Sequence, residues 1–196
     1  MKTRLVNELP FHNLTTHSAP HLYIVDYKSI NDGSVILHED KPLNIKYVYL
    51  SNQNEVTVCF DGFTNNALPL SAGSQNQQCE CVIFPDRCFE TDWILFVETK
   101  YVNNRKAAFN EIRGYPNKMT TQIIETVQYF RNKGIIETNK KVWAIVSFPI
   151  LIEEFNSTIF KGDLSETDIL FKHRIVIRGT NSASIISEKR IKLNSL

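Results

Sequence analysis

Short apolar runs separated by polar turn residues predict a β-rich first half of the chain. The runs are rich in β-branched and aromatic residues, and turn-forming segments such as Asn31-Asp32-Gly33 lie between them. We expect the strands to form an antiparallel meander. The predicted strands are Leu22–Val25, Val35–Leu37, Ile45–Leu50 and Val56–Phe60. Residues 64–78, rich in Asn, Gln, Ser and Gly, predict a loop.

The second half of the chain contains two longer apolar runs, at residues 92–101 and 140–149. Such runs are typical of strands that are buried on both faces in the middle of a sheet. Cys79–Phe84 precedes the first run and predicts a hairpin with it. Further strands are predicted at Phe171–Arg178 and Ala183–Ile186.

One amphipathic helix is predicted between the two central strands. Its apolar residues recur at helical spacing from an expected N-cap at Asn117 to a stop at Gly134. These residues are Met119, Ile123, Val127 and Phe130.

The predicted elements indicate an α/β (α+β) fold. We expect a mixed central sheet with a hairpin, a flanking amphipathic helix and a β-rich N-terminal half. The length of 196 residues fits a single domain, 1–196. Within it, the pattern suggests a β-rich subdomain at 1–63, a core at 79–149 and C-terminal strands at 150–196.

Composition restricts the class of partner. The chain has 22 basic and 21 acidic residues and a net charge of +1, so a nucleic-acid contact would need a local basic patch. Apolar stretches fall short of the roughly 20 residues of a membrane span. We therefore expect a soluble, cytoplasmic protein without membrane association, whose four cysteines are mostly buried free thiols.

The first long apolar run ends in Glu98-Thr99-Lys100. Because side chains alternate along a strand, Glu98 and Lys100 lie on the same face as Phe96. Burying a charge is costly unless it is paired or binds a metal, so the placement indicates a site; the alternative is an exposed ion pair at a strand end. Asp26-Tyr27-Lys28 has the same spacing after an apolar run and is the main competing candidate.

The hairpin register identifies a partner for Glu98. With a midpoint near residue 89, Glu80 lies directly opposite Glu98. Like charges that face each other destabilise a sheet unless a positive charge lies between them. Asp86 is the alternative acid, although it falls in the predicted turn.

The predicted order is a hairpin with an acid on its first strand and Glu-x-Lys on its second, followed by a helix and an apolar strand. This order resembles the restriction-endonuclease-like superfamily, which is known for its PD-(D/E)xK motif. The resemblance covers residues 79–149. It implies that Glu98 is the second acid, that Lys100 assists the attacking water and that Gln122 on the helix supports the site. The first acid is Glu80 or Asp86, with Glu80 preferred.

The same resemblance implies a divalent metal ion and a nucleic-acid substrate. Two carboxylates and a backbone carbonyl, here that of Thr99, suit Mg²⁺ or Mn²⁺. A basic segment follows the motif and would contact phosphates, unless it is only a solvated loop. Its residues are Arg105, Lys106, Arg113 and Lys118.

The expected function is therefore a metal-dependent endonuclease acting on DNA, of restriction or host-defence type, and a homodimer because cutting both strands needs two sites. The alternative is a non-enzymatic module on the same scaffold that binds nucleic acid or protein. A third possibility is a plain α/β protein in which Glu98 and Lys100 point apart into solvent. The family also has a helix before its hairpin, for which Leu5–Asn7 with Glu8 is the only candidate.

Overall fold

The computed structural model of the protein describes residues 1–28, 33–65, 67–68, 78–87, 89, 92–160 and 165–194. The strands are β1 (Thr15–His17), β2 (His21–Asp26), β3 (Val35–His38), β4 (Val48–Ser51), β5 (Val58–Gly62), β6 (Cys81–Pro85), β7 (Leu95–Thr99), β8 (Val142–Ser147), β9 (Ile175–Gly179), β10 (Ser182–Ser187) and β11 (Arg190–Leu193). The helices are α1 (Lys2–Glu8), α2 (Arg105–Ala108), α3 (Tyr115–Asn132), α4 (Asn156–Ile159) and α5 (Glu166–His173). Within these described ranges, every helix is too short or too polar to cross a membrane.

The described strands form two mixed sheets. The larger has the order β1-β5-β6-β7-β8-β9; its first four strands are antiparallel neighbours, and β7, β8 and β9 are parallel. The smaller has the order β11-β10-β4-β2-β3. The predicted α/β (α+β) fold with a mixed central sheet and a β-rich N-terminal half is confirmed.

The larger sheet is covered on both faces, which explains its apolar strands. One face packs against the helices, and the other packs against the smaller sheet. Along β7, Phe96 faces the helices while Leu95 and Val97 face the smaller sheet. Phe130 of α3 meets Phe96 edge to face, with ring centroids 5.4 Å apart.

Helix α3 forms as predicted but begins earlier. Met119, Ile123, Val127 and Phe130 are all buried. The N-cap is Gly114, whose φ of 58° is left-handed, and not Asn117. Pro116 lies in the first turn, where its missing N–H costs nothing.

The predicted meander is wrong. Strand β2 lies between β3 and β4, so these strands are not in sequence order, and β5 belongs to the larger sheet. Residues 1–63 therefore supply strands to both sheets and form no sheet of their own, while the C-terminal β10 pairs with β4. Gly62 allows β5 to approach β3, because a Cβ there would lie 2.1 Å from the Val35 carbonyl oxygen.

The C-terminal region also differs from the prediction. The segment predicted as one strand, Phe171–Arg178, contains the end of α5 and most of β9. Ser165 caps α5 by accepting a hydrogen bond from the backbone N–H of Asp168 at 3.1 Å, and Arg174 ends it with a φ of 56°. The basic tail forms β11 because Ile191 and Leu193 alternate with its charged residues and are buried.

Cys59, Cys79 and Cys81 are buried free thiols, as expected. Burial raises the pKa of Cys59 to about 11, so this thiol is protonated at neutral pH. Cys88 and most of the loop predicted at 64–78 lie outside the described residues.

Candidate active site

Glu80 and Glu98 lie at one end of the β6–β7 hairpin, and both contact Nζ of Lys100. The ladder pairs Cys81 with Val97, and Glu80 and Glu98 are the next residues on the two strands. The backbone N–H of Glu80 donates to the carbonyl of Val97 at 2.9 Å. The predicted register is confirmed for the three ladder pairs that begin with Cys81 and Val97, while Glu80 bonds to Val97 and not to Glu98, the residue predicted to lie opposite. Both acidic side chains are buried.

Lys100 supplies the positive charge that such a pair of acids requires. Its Nζ lies 2.7 Å from Oε1 of Glu98 and 3.4 Å from Oε1 of Glu80. The backbone N–H of Lys100 donates to the carbonyl of Ser147 at 3.0 Å, which fixes the end of β7 against β8. Glu98 and Lys100 therefore do not point apart into solvent.

The Glu98 carboxyl group has an unusual environment. Burial, followed by the charge of Glu80, raises its pKa to about 8 against the opposing effect of Lys100. Its Oε2 is buried and has no hydrogen-bond partner among the described residues. Burial lowers the pKa of Lys100, but the charges of Glu98 and Glu80 outweigh it and hold that pKa above its usual value.

A second acid and lysine reach the same place from the smaller sheet. Asp26 ends β2, and Nζ of Lys28 forms an ion pair with Oε2 of Glu80. Burial, then the charge of Glu80, raises the pKa of Asp26. Sequence reasoning treated this acid-x-Lys triplet as a competitor of Glu98-Thr99-Lys100, whereas the fold brings the two together. Their identical spacing indicates an acid and a lysine at each of two strand ends, but it does not indicate that the two ends meet.

Gln122 of α3 supports the site indirectly. Its Nε2 donates to the main-chain carbonyl of Gln78 at 2.8 Å. The hydroxyl of Thr126, one turn later, accepts from the N–H of Cys79 at 2.9 Å and donates to the carbonyl of Gln122 at 2.7 Å. Both side chains hold the backbone that leads into Glu80.

The structure does not bring Asp86 to the cluster. Asp86 follows the far end of β6, about 20 Å from Glu80 for six extended residues. Its Oδ1 lies 2.5 Å from Nζ of Lys2 and accepts the Cys59 thiol at 3.0 Å. Of the two candidate acids, Glu80 lies beside Glu98 and Lys100, and Asp86 does not.

The predicted phosphate-binding residues lie on the connection between β7 and β8. Arg105 is engaged within the protein: it donates to the carbonyl of Glu154 at 2.8 Å and to the hydroxyl of Thr158 at 2.6 Å. Three others are exposed. They are Lys106, Arg113 and Lys118.

The donor atoms for a cation are few. Across the described ranges, no three or more His, Cys, Asp or Glu side chains are grouped to hold a metal ion. The hard oxygen donors beside Lys100 are the carboxylates of Glu80 and Glu98. Thr99 ends β7 next to them, with its side chain on the opposite face of the strand.

The candidate for a helix before the hairpin, Leu5–Asn7 with Glu8, lies in α1. Leu5 of α1 is fully buried in the core between the helices and the larger sheet. Glu8 is exposed. The acids at the cluster thus come from β2, β7 and the residue before β6.

Comparison of the chain with protein-family models, with curated proteins and with solved structures finds no match. What the cluster does must therefore be inferred from its own geometry and charges.

Proposed function

We propose that the protein is a metal-dependent nuclease that hydrolyses phosphodiester bonds of DNA at the cluster of Glu80, Glu98 and Lys100. The observation that carries the proposal is Glu98, which is fully buried, faces a second carboxylate and leaves Oε2 without a hydrogen-bond partner among the described residues. Proteins rarely leave a buried carboxylate oxygen unsatisfied unless the group has a chemical role.

A hard divalent cation fits this donor set. Carboxylate oxygens are the ligands that Mg²⁺ and Mn²⁺ prefer, and two carboxylates suffice for Mg²⁺ because it keeps several waters. Glu80 and Glu98 would hold the ion, with the carbonyl of Thr99 as a further ligand. The order of hairpin, Glu-x-Lys, helix and parallel strand also agrees with the nuclease family that the sequence resembles.

When bound, the cation would neutralise charge on the phosphodiester and acidify a water molecule. Lys100 is suited to act on the substrate because 30% of its side chain is exposed while its Nζ contacts both acids. Its ammonium would orient the attacking water or stabilise charge on the phosphate oxygens. Gln122 acts as a positioning residue through the backbone before Glu80.

Exposed basic residues support a nucleic-acid substrate. Lys106, Arg113 and Lys118 are exposed on the segment that follows Lys100, and we assign the phosphate contacts of the proposed site to them. Affinity for DNA should then fall steeply with salt. A homodimer would give double-strand cleavage, and a monomer would nick.

The test is cleavage of supercoiled plasmid and of single-stranded oligonucleotides with Mg²⁺, Mn²⁺ or EDTA. We expect metal-dependent cleavage that falls at least about 100-fold in Glu98→Gln, because one metal ligand is lost. Asp86→Asn is the matched control, since it changes an acid of the same hairpin outside the cluster. Mn²⁺ binding, measured calorimetrically without DNA, should weaken in Glu98→Gln and stay unchanged in Asp86→Asn.

A non-enzymatic binding module is the second candidate. It is favoured by Glu80, because Lys28 and Lys100 together contact both of its carboxylate oxygens. If both lysines remain in place, the carboxylate is unavailable to a cation. Mn²⁺ binding that is absent, or indifferent to Glu98→Gln, would overturn the nuclease and leave this candidate.

A further inference from the structure

Lys28 comes from the other sheet, yet it is part of the cluster. Its side chain is 14% exposed, and its Nζ pairs with Oε2 of Glu80, while Lys100 contacts Oε1 of the same carboxylate. The backbone N–H of Lys28 donates to Oδ1 of Asp26 at 2.8 Å, which ties the residue to the end of β2. Glu80 is thus joined to both sheets.

The cluster contains more carboxyl groups than lysines. Asp26, Glu80 and Glu98 supply three carboxyl groups, and Lys28 and Lys100 supply two ammonium groups. Lys100 is shared between Glu80 and Glu98, whereas Lys28 forms an ion pair with Oε2 of Glu80. A cation that binds Glu80 through Oε2 must therefore displace Lys28.

We propose that Lys28 is a built-in competitor of the divalent cation for Glu80. The Lys28 ammonium neutralises Glu80 in the metal-free protein, and the bound metal ion displaces it. The displaced ammonium then lies at the edge of the site and faces the substrate phosphate. The residue therefore sets the metal affinity and does not ligate the metal. This inference rests on the proposed metal site.

Substitution of Lys28 tests the competition directly. Lys28→Met should bind Mn²⁺ at least about tenfold more tightly than the wild type, because a cation in contact with Glu80 no longer has to be displaced. Lys28→Arg keeps the charge and should keep the wild-type affinity. The probe is Mn²⁺ alone, titrated calorimetrically and by the electron paramagnetic resonance of the free ion, on the full chain without DNA.

Lys46→Met is the matched control for net charge. Lys46 is exposed, and its carbonyl accepts the hydroxyl of Tyr101, so the variant removes one positive charge near the cluster without touching Glu80. Circular dichroism checks the fold of each variant, and Lys28→Gln replaces Lys28→Met if the latter does not fold.

The outcomes separate this inference from the proposed function. Equal Mn²⁺ affinity in Lys28→Met and Lys46→Met, with binding still dependent on Glu98, overturns the competition and leaves the metal site standing. Absence of Glu98-dependent binding in both the wild type and Lys28→Met overturns both. Glu98-dependent Mn²⁺ binding that is seen in Lys28→Met but not in the wild type supports the competition, and it shows that Lys28 prevents Mn²⁺ from binding to the wild-type protein.

Discussion

Two buried acid–base groups lie on the larger sheet, and they differ in whether their polar atoms are satisfied. His12 pairs with Asp61 of β5: Nδ1 lies 2.6 Å from Oδ2, and Nε2 lies 3.0 Å from the carbonyl oxygen of Ala67. Both ring nitrogens of His12 are therefore used. Glu98 of β7 instead shares Lys100 with Glu80 and leaves Oε2 without a partner among the described residues.

The difference separates a stabilising pair from a site that costs stability. A buried pair with complete hydrogen bonding holds two segments together, here the chain after α1 and the end of β5. A buried carboxylate beside another acid opposes folding, because desolvation and repulsion act in the same direction. The proposed metal site accounts for such an arrangement at Glu98, because a bound cation would offset the repulsion between the two acids.

The largest expected effect is a pair of opposite changes in stability. Asp61→Asn should lower the free energy of unfolding by about 1–3 kcal/mol, because the buried imidazole loses its charged partner. Glu98→Gln should raise it at pH 7, since the amide mimics the protonated carboxyl group that a pKa of about 8 favours there. Urea unfolding in EDTA measures both, and a loss of stability in Glu98→Gln would contradict the functional interpretation.

A smaller effect is expected in the pH dependence of stability. Burial lowers the pKa of His12, but the hydrogen bond and charge of Asp61 outweigh it and raise that pKa above its usual value of 6.5. A raised histidine pKa stabilises the fold fully below the unfolded-state pKa, and this contribution is lost as pH rises through the folded-state pKa. The difference in unfolding free energy between the wild type and His12→Gln should therefore shrink as pH increases from about 6.5.

A difference that stays constant across this range would show that His12 does not change its charge there. Asp61→Asn is a useful second variant, because it removes the partner that raises the pKa of His12. The difference between Asp61→Asn and its double variant with His12→Gln should depend less on pH than the difference measured in the wild-type background.

The smallest effect is expected at the other end of the hairpin. The side chains of Lys2 and Asp86 are 44% and 32% exposed, so Asp86→Asn should change the free energy of unfolding by less than about 1 kcal/mol. Thermal unfolding of Asp86→Asn and of Glu80→Gln compares the residues that flank the two ends of β6. Loss of Mn²⁺ binding in Asp86→Asn, with binding retained in Glu80→Gln, would reverse the assignment of the first acid.

Much of the central region could be predicted from local pattern. The apolar run before Glu98 placed β7 in the middle of a sheet, and the spacing from Met119 to Phe130 placed α3. The register of the β6–β7 pairs could be predicted because paired residues of an antiparallel hairpin have numbers with a constant sum. The short connection between the strands leaves few alternative registers. Residues near in sequence supply these contacts, so a local pattern suffices.

Prediction failed where partners are distant in sequence. Strand β4 has β2 on one side and β10, from the other end of the chain, on the other side, so β5 does not pair with it as the predicted meander required. Alternation shows which residues of a strand are buried, but not which strand lies beside it. The sequence analysis missed helix α5. Ser165 is a helix-capping residue, but the apolar residues that follow it also suit a strand.

The amino-acid pattern alone placed Glu98 and Lys100 on one face of a central strand and Glu80 at the same end of the hairpin, because side-chain alternation and hairpin pairing are local. The meeting of these residues with Asp26 and Lys28 depends on the tertiary structure. They belong to the smaller sheet, and nothing in their spacing shows that β2 ends beside the start of β6. That contact depends on how the two sheets pack, which is set by the whole apolar core between them.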